Sequence, residues 1–395
     1  MTDVRHCRFD SPAWLGEVLI DSLEDLSPAS ILDLGCGGGA LSVAALRRWP
    51  GRELMTVDVD AAVEAEMNRI ISPHQGVVHR HVTADVLHHT FDSLATCGTK
   101  PIDLVISNPP YRAAEWSPAY EGILRAAGLP APSAVIGDIA ADLIFVARAM
   151  TLVRPGGCLG LILPDSLISA QKTQPFRECL LRSHRVSRVV QLPRRAFKNT
   201  DAQTFIVIVE RGGTGSKVRL DRINTLGEWA EPVIIDPEVA TVRLDYAYHD
   251  KDAQISWPGC TSLRELGVEI RRGNLSSLEA SASAEPTFHS SDFSSTAGGK
   301  VRLPRAGKAL ADVSAVAGDI LLARVDRNLE RKIAIVASGS ARLTDCVLRI
   351  RCKPELAGRI RKGLLSPEGQ SQLTSKTRGT GARHISVASL MQIVV

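Results

Sequence analysis

Four consecutive residues follow an apolar stretch and carry groups that could take part in catalysis: Asn108, Pro109, Pro110 and Tyr111. The amide oxygen of Asn108 and the carbonyl oxygen of Pro109 are both hydrogen-bond acceptors. Together they can hold the two hydrogens of a planar amino group, so that the nitrogen lone pair leaves ring conjugation and can attack a methyl sulfonium. The prolines stiffen the loop, and Tyr111 offers a flat face to a base that has left a duplex. These four residues are the candidate catalytic residues.

A second candidate site is the segment 33–40, which reads DLGCGGGA at a predicted strand-to-helix turn. Glycines let the backbone approach a ligand, and a helix N-terminus favours electron-rich groups. Asp33 can accept a hydrogen bond from an ammonium group such as that of S-adenosylmethionine. Asp58, at the end of the second strand, can bind ribose hydroxyls, and Asp85, after the third, can bind the adenine amino group. The candidate cofactor-binding residues in this region are Asp33, Gly35, Cys36, Gly37, Asp58, Val59, Asp85 and Val86.

The same glycine pattern leaves a different cofactor open. Gly35, Gly37 and Ala40 also fit the dinucleotide fingerprint, which is a weak signal by itself. A nicotinamide-dependent enzyme therefore remains possible from this region alone.

Both sites need strands that deliver them to one edge of a sheet. Residues 30–212 alternate short apolar strands with helices, which predicts a parallel sheet covered on both faces. The predicted strands are 30–34, 54–58, 77–83, 102–106, 158–163, 186–192 and 204–210, and the predicted helices are 40–48, 61–70 and 138–152. A glycine-rich break at 211–217 predicts domains at 1–212 and 256–395 with a bridging region at 213–255. We expect few strands beyond 256 and a loop at 276–300.

Charge is distributed unevenly along the chain. Residues 301–395 carry 17 Lys and Arg against 7 Asp and Glu, a net charge of +10, whereas residues 1–300 carry 30 against 36, a net charge of −6. A basic region of this kind indicates a polyanionic partner. A second basic cluster, Arg194, Arg195 and Lys198, flanks Phe197 and suits phosphate groups.

Several classes of protein are disfavoured by the composition. No apolar run approaches the ~18 to 20 residues of a membrane span, and the N-terminus lacks a secretory signal, so we expect a cytoplasmic protein. The eight cysteines form no Cys-x-x-Cys pair, so we expect neither a disulfide nor a bound metal.

The motifs at 33–40 and 108–111 resemble those of the amino-methylating class I methyltransferases, and their order resembles that of the γ-type N6-adenine DNA methyltransferases. The resemblance covers 9–210 and implies a Rossmann-like α/β fold and S-adenosylmethionine as the cofactor. It also implies that Ser11 and Pro12, in the segment FDSP, contact the methionine part of the cofactor, and Asn108 is a further candidate cofactor-binding residue. Phe197 corresponds to a second aromatic face for the flipped base.

Methylation of other base positions is disfavoured. The enzymes that methylate carbon 5 of cytosine use a Pro-Cys dipeptide, which is absent from this chain. The N4-cytosine enzymes usually have Ser in place of Asn108, so adenine is favoured.

The C-terminal part resembles a target-recognition domain of a type I restriction specificity subunit. The similar segments include SWPGCTSLREL at 256–266, GDILLAR at 318–324, LLSPEGQ at 364–370 and GTGARHIS at 379–386. This resemblance implies a mixed α/β DNA-recognition domain, with Arg324, Arg327, Arg331 and Arg378 as candidate DNA-binding residues.

The sequence therefore predicts a site-specific, adenine-specific DNA methyltransferase of the restriction-modification type that flips its target base. Its expected partners are duplex DNA and, as a further candidate, a separate restriction endonuclease, without membrane or metal. We expect it in the cytoplasm, associated with the nucleoid. Two alternatives remain open. One is a class I methyltransferase of RNA or of a protein glutamine, and the other is a non-catalytic DNA-binding specificity subunit.

Overall fold

A computed structural model describes residues 11–91, 101–131, 137–197, 202–250, 260–295, 299–304, 313–379 and 382–395. The chain divides into two compact units, Met1–Tyr246 and Ala247–Val395. The candidate residues for chemistry lie in the first unit.

The strands of the first unit alternate with helices along the chain. The strands are β1 (Ser30–Leu34), β2 (Glu53–Asp58), β3 (Val78–Thr83), β4 (Ile102–Ser107), β5 (Ala113–Glu115), β6 (Asp138–Ala140), β7 (Val153–Pro164), β8 (Arg185–Gln191), β9 (Thr204–Glu210), β10 (Val218–Arg222) and β11 (Val233–Ile235). The helices that precede residue 246 are α1 (Ala13–Asp21), α2 (Ala40–Arg48), α3 (Ala62–Ile71), α4 (Ala119–Ala126), α5 (Ala141–Leu152), α6 (Asp165–Ile168), α7 (Gln174–Ser183) and α8 (Pro237–Ala240). A further short helix, α9, spans Tyr246–His249.

These strands, apart from β5 and β6, form one sheet in the order β11-β10-β8-β9-β7-β4-β1-β2-β3. The half that carries the glycine turn is parallel, with β1 between β2 and β4, and β7 beside β4. Alternate residues of each central strand enter two apolar cores: Val105 faces one, whereas Leu104 and Ile106 face the other. A parallel sheet buried on both faces is therefore confirmed for β1 to β4 and β7, whereas β9 pairs antiparallel with β7 and β8, which makes the whole sheet mixed.

Several boundaries differ from the sequence prediction, and strand β7, for example, begins at Val153 instead of 158. The helix expected at 138–152 begins at Ala141, because residues 138–140 pair with 113–115 as strands β6 and β5. The predicted bridging region at 213–255 needs correction as well, because β10 and β11 lie within it. Strand β10 pairs with β8, and β11 pairs with β10, so the sheet continues to Ile235.

The second unit is a mixed α/β structure with its own apolar core. Its strands are β12 (Glu269–Arg272), β13 (Thr287–Phe288), β14 (Lys300–Arg302), β15 (Ser314–Val316), β16 (Ile320–Ala323), β17 (Val325–Asp326), β18 (Ile333–Ser338), β19 (Ser340–Leu343), β20 (Val347–Arg351) and β21 (Arg383–His384). Its helices are α10 (Ser277–Ala282), α11 (Pro354–Leu365), α12 (Pro367–Lys376) and α13 (Val387–Leu390). The main sheet has the order β12-β20-β16-β18-β14, and β13-β19-β15 and β17-β21 form smaller sheets.

The expectations of few strands beyond 256 and of a loop at 276–300 were wrong. The strands were missed because they have only two to six residues each, which is too short for a clear alternation of apolar and polar positions. Helix α10 lies within the expected loop and has a capping box in which Ser276 and Glu279 bond to each other's backbone N–H. No helix of the described ranges is long and apolar enough to cross a membrane.

Gly39 tests the backbone geometry that the first unit requires. It has φ +74°, and a Cβ there would lie 2.4 Å from Ile70 Cδ1 and 2.8 Å from Met67 Sδ. We expect Gly39→Ala to lower the free energy of unfolding in urea by about 1–3 kcal/mol. Gly122→Ala is the control, because Gly122 lies in α4 with open space around it and should gain up to ~1 kcal/mol. Equal stability of Gly39→Ala and the native protein would contradict the required left-handed turn.

Candidate active site

The ends of β1 and β4 bring the glycine turn and the Asn108 loop together. The two strands are parallel neighbours, so their carboxyl ends lie at the same edge of the sheet. The Ser107 hydroxyl, at the last residue of β4, donates a hydrogen bond of 2.5 Å to the Leu34 carbonyl oxygen at the end of β1. The two loops therefore start side by side.

The glycine turn encloses one side of a small, partly open cleft. Gly35 and Gly37 have φ +78° and +48°, a conformation that suits glycine. The cleft is lined by Ser11, Gly35, Cys36, Gly37, Gly38, Ala40, Leu41 and Asn108. It thus joins the N-terminal segment, the glycine turn and the catalytic loop.

Asp58 stabilises the turn from the end of β2. Its Oδ2 accepts the Gly37 N–H at 2.9 Å and its Oδ1 accepts the Asp60 N–H at 3.0 Å. Each carboxylate oxygen retains a further lone pair, so hydroxyl groups can still bind there. The neighbouring Val59 is exposed, as expected of a residue available to a ligand.

Asp33 lies below the turn instead of in the cleft. Its side chain is fully buried, and Oδ2 accepts a hydrogen bond of 2.6 Å from the Ser42 hydroxyl of α2. Burial raises its pKa to about 7, and the Ser42 hydrogen bond only partly offsets this. Asp33 Oδ2 thus holds the start of α2 against β1, while Oδ1 has no hydrogen-bond partner among the described residues, so its contact with an ammonium group stays a prediction.

The remaining candidates around the cofactor cleft differ in accessibility. Asp85 is exposed after β3, and its Oδ1 accepts the Leu87 N–H at 2.9 Å. Val86, the next candidate, is buried in the core. Pro12 is half-buried before α1. Burial raises the pKa of the Cys36 thiol, which makes Cys36 a neutral part of the cleft wall.

The Asn108 amide is bonded at both ends. Its Nδ2 donates to the Ser11 hydroxyl oxygen at 3.0 Å, and its Oδ1 accepts from the Tyr111 hydroxyl at 2.9 Å. The Tyr111 oxygen also lies 3.2 Å from the Ile162 carbonyl oxygen of β7. Pro109 is buried and Pro110 half-buried, so the backbone of the loop is fixed between these contacts.

Tyr111 and Phe197 are neighbours, but they are not parallel. Their ring centroids lie 6.4 Å apart with an interplanar angle of 90°, and Phe197 is only 3% exposed. Two perpendicular rings cannot hold a base between their faces, so the expected sandwich is not formed in this structure. Phe197 is instead part of an apolar core, with its ring edge-on to Tyr111.

Asp142, in the first turn of α5, was missed by the sequence analysis. The Ala141 N–H donates to the Arg112 carbonyl oxygen at 3.0 Å, which joins the start of α5 to the chain just after Tyr111. Asp142 is 3% exposed, and its Oδ1 has no hydrogen-bond partner among the described residues. Burial, together with the charge of Asp142, raises the pKa of the Tyr111 hydroxyl. The signal that could have identified it was one acidic residue in an otherwise apolar helix start.

The predicted DNA-contacting residues are distributed over both units. In the first, Arg194 is half-buried and Arg195 is exposed with φ +64°, whereas Lys198 lies outside the described residues. In the second, Arg327 and Arg331 are exposed beside the short turn Leu329–Arg331. Arg324 and Arg378 are half-buried.

The Arg324 guanidinium is held by the turn before β20. Its Nε donates to the Asp345 carbonyl oxygen at 2.5 Å, and its Nη2 lies 3.8 Å from Asp345 Oδ2. Arg272 donates to the same carboxylate at 2.7 Å. Arg324 is thus fixed in direction, and Arg327 and Arg331 are the more exposed of these arginines.

Comparison with known proteins identifies one family and several methyltransferases that the chain is similar to. The family model described as N-6 DNA methylase matches residues 5–225, more than half of the chain. The chain is 36% identical over 140 residues to a release factor glutamine methyltransferase of Chlorobaculum tepidum, covering 35% of this chain and 46% of the relative. It is 31% identical over 124 residues to ribosomal RNA small subunit methyltransferase C of Pseudomonas syringae pv. syringae, covering 31% and 34%. The chain thus spans less than half the length of these curated relatives.

Among solved structures, the type IIG restriction endonuclease BpuSI has a similar fold. The TM-score is 0.54 at 14% sequence identity, and the alignment covers 98% of this chain and 58% of BpuSI. At this identity the similarity concerns the fold alone. The Rossmann-like class I methyltransferase fold expected for the first unit is confirmed.

Asp142 also predicts a pH dependence of stability. Burial raises its pKa from 3.8 to about 6. Below pH 3.8 the carboxyl is protonated in both the folded and the unfolded state, and the folded state is then most stable with respect to this group. That stability is lost as the pH rises through 6, because the folded state then has to bury a charge. We expect Asp142→Asn to raise the free energy of unfolding by up to ~3 kcal/mol at pH 8 and by roughly half as much at pH 5. Urea unfolding at both pH values measures this, with the exposed Asp138→Asn as the control. A gain that does not change with pH would contradict the burial of a charged carboxylate.

Proposed function

The chain belongs to the N-6 DNA methylase family, and on that premise we propose that it methylates N6 of an adenine in duplex DNA. S-adenosylmethionine is the methyl donor. The target atom is inaccessible inside a duplex, so the adenine has to be extruded into the first unit.

The observation that carries the proposal is the position of two acceptors beside the cleft. Asn108 lines the cleft together with the glycine turn, and the Pro109 carbonyl oxygen follows it directly in a loop that two prolines restrict. Asn108 Oδ1 and this carbonyl oxygen would accept the two amino hydrogens of adenine. Preorganised acceptors of this kind act without reorganisation during the reaction.

The cleft and the acidic residues that follow β2 and β3 fit S-adenosylmethionine by their chemistry. The glycine turn and the N-terminus of α2 suit a carboxylate, Asp58 suits ribose hydroxyls, and the exposed Asp85 suits the adenine amino group. When bound, the cofactor supplies an electrophilic methyl group on a sulfonium. The protein contributes a closed wall at Cys36 and an exposed apolar contact at Val59.

Tyr111 is the stacking residue for the extruded adenine in this proposal. Phe197 acts behind it, because its edge-on contact and burial keep the Tyr111 ring from moving inward. Base–aromatic stacking contributes ~1 to 3 kcal/mol per base, so one ordered ring is sufficient to hold the base.

The second unit recognises the DNA sequence in this proposal, and the first unit carries the chemistry. The support is the net charge of +10 over 301–395 and the exposed side chains of Arg327 and Arg331. Arg194, Arg195 and Lys198 would contact phosphates near the flipped base, and Arg324 and Arg378 would act beside the other two arginines. The protein would work at the nucleoid, with a separate restriction endonuclease supplying any cleavage.

A second candidate function is methylation of RNA or of a protein glutamine. The observation that favours it is the 36% and 31% identity to proteins named as methyltransferases of those substrates. Both substrates also present a planar amino or amide group to Asn108 and Pro109. The basic second unit favours a nucleic acid over a protein.

Asn108→Ala tests the catalytic assignment. Loss of one preorganised acceptor should reduce kcat on duplex DNA by more than ~100-fold. Binding of S-adenosylhomocysteine, measured by calorimetry, should persist, because the rest of the cleft remains. Asn68→Ala, an exposed asparagine of α3, serves as the control for general effects. Near-native turnover of Asn108→Ala would exclude Asn108 as the catalytic acceptor.

Arg327 and Arg331 test the role of the second unit. Replacing both with Ala should weaken DNA binding and lower the slope of log K against log salt concentration by about two units, because each phosphate contact releases about one counterion. Fluorescence anisotropy with labelled duplex DNA over a range of KCl concentrations measures the slope. Lys353→Ala is the matched control, because Lys353 is an exposed cation of the same unit that lies after the end of β20. An unchanged slope in the double variant would place the DNA elsewhere.

A further inference from the structure

Ser11 connects the cofactor cleft with the catalytic amide. It lies just before α1, and its hydroxyl oxygen accepts the hydrogen bond of 3.0 Å from Asn108 Nδ2 across 97 residues of sequence. Both residues line the same cleft as the glycine turn. One hydroxyl group therefore touches the catalytic side chain and faces the space that the cofactor takes.

The orientation of the Asn108 amide decides whether it can act as an acceptor. In this structure Oδ1 faces Tyr111 and Nδ2 faces Ser11. A rotation of 180° about the bond between Cβ and Cγ would exchange the two atoms with little change of shape. The N–H groups would then oppose the amino hydrogens of the substrate, and the site would lose one of its two acceptors.

Tyr111 does not select the orientation by itself. Its hydroxyl has one proton and two oxygen neighbours, Asn108 Oδ1 at 2.9 Å and the Ile162 carbonyl oxygen at 3.2 Å. With the amide rotated, the hydroxyl could donate to Ile162 and accept from Asn108 Nδ2. Both orientations satisfy Tyr111.

Ser11 selects the orientation only when its proton is used elsewhere. A free serine hydroxyl can donate to the amide oxygen or accept from the amide nitrogen. If the proton is donated to another group, the oxygen can only accept, and Nδ2 has to face it. The cleft favours an anion as that group, because the glycine turn and the N-terminus of α2, a helix of nine residues, lie on its wall.

We propose that Ser11 is a positioning residue that donates its proton to the carboxylate of the bound cofactor and thereby fixes the Asn108 amide with Oδ1 toward the substrate. This inference rests on the proposed function, because it assigns Asn108 the acceptor role at the reacting amino group. Cofactor binding would therefore orient the Asn108 amide oxygen toward the substrate before the adenine arrives.

Two variants separate this role from simple packing. Ser11→Ala removes the hydroxyl, whereas Ser11→Thr keeps it. Ser11→Ala should weaken S-adenosylhomocysteine binding in calorimetry by roughly 10-fold, the scale of one hydrogen bond to a charged group. It should lower kcat by about 2-fold or more, because the amide then has no preference between its two orientations. Ser11→Thr should restore both quantities to near their native values.

A cofactor analogue without the carboxylate completes the test. With decarboxylated S-adenosylmethionine, the native enzyme should lose kcat to about the level of Ser11→Ala. Ser11→Ala itself should lose little more, because the same hydrogen bond is already absent. Equal further losses in the native enzyme and in the variant would overturn the coupling.

A direct readout is the side-chain amide of Asn108 in protein labelled with 15N-asparagine, identified by its absence in Asn108→Ala. S-adenosylhomocysteine should slow proton exchange at this amide in the native protein and not in Ser11→Ala. Equal exchange in the two proteins, both saturated with S-adenosylhomocysteine, would overturn the proposal. If the native enzyme methylated no duplex DNA, the proposed function would fail, while the exchange result would still decide the role of Ser11.

Discussion

The parallel pairing of β1 with β4 is the constraint on which the first unit depends, because it fixes the distance between the cofactor cleft and the catalytic loop. Both strands are buried on both faces, and the Ser107 hydroxyl joins their ends. The glycine turn leaves β1 and the Asn108 loop leaves β4 from adjacent positions. The chemistry therefore depends on the register of two strands more than on any single side chain of the loops.

Two buried carboxylates beside this edge lower the stability of the fold. Asp33 and Asp142 are both at most 3% exposed, and burial raises the pKa of each. Each has one oxygen without a hydrogen-bond partner among the residues that the structure describes. Charged groups of this kind are costly to bury, and proteins tolerate such costs mainly near functional sites.

Sequence alone predicted the parts of the site that follow from periodicity and glycine. The strands β1 and β9 and the helix α2 have the predicted bounds, because their apolar patterns and the turn at 33–40 are unambiguous. The side-chain directions could not be predicted in the same way. Asp33 and Asp58 both follow apolar residues of a strand, yet only packing decides that Asp33 points below the turn and Asp58 toward Gly37.

Long-range pairs were the least predictable features. The contact of Ser11 with Asn108 spans 97 residues, and the Tyr111–Phe197 pair has an edge-on geometry that no motif encodes. The second unit was also hard to read, because strands of two to six residues leave little periodicity. The net charge of +10 over residues 301–395 still indicated a polyanionic partner, although the alternation of apolar and polar residues did not reveal the strands.

We expect the amino group held by Asn108 and Pro109 to belong to adenine in duplex DNA. The most direct measurement incubates the protein with isotopically labelled S-adenosylmethionine and, in parallel, duplex DNA, ribosomal RNA, transfer RNA and a release factor, followed by mass spectrometry of the digested products. Labelled N6-methyladenine should appear in the DNA within a defined sequence. Label found as N4-methylcytosine, or in RNA or glutamine with the DNA unmodified, would contradict it.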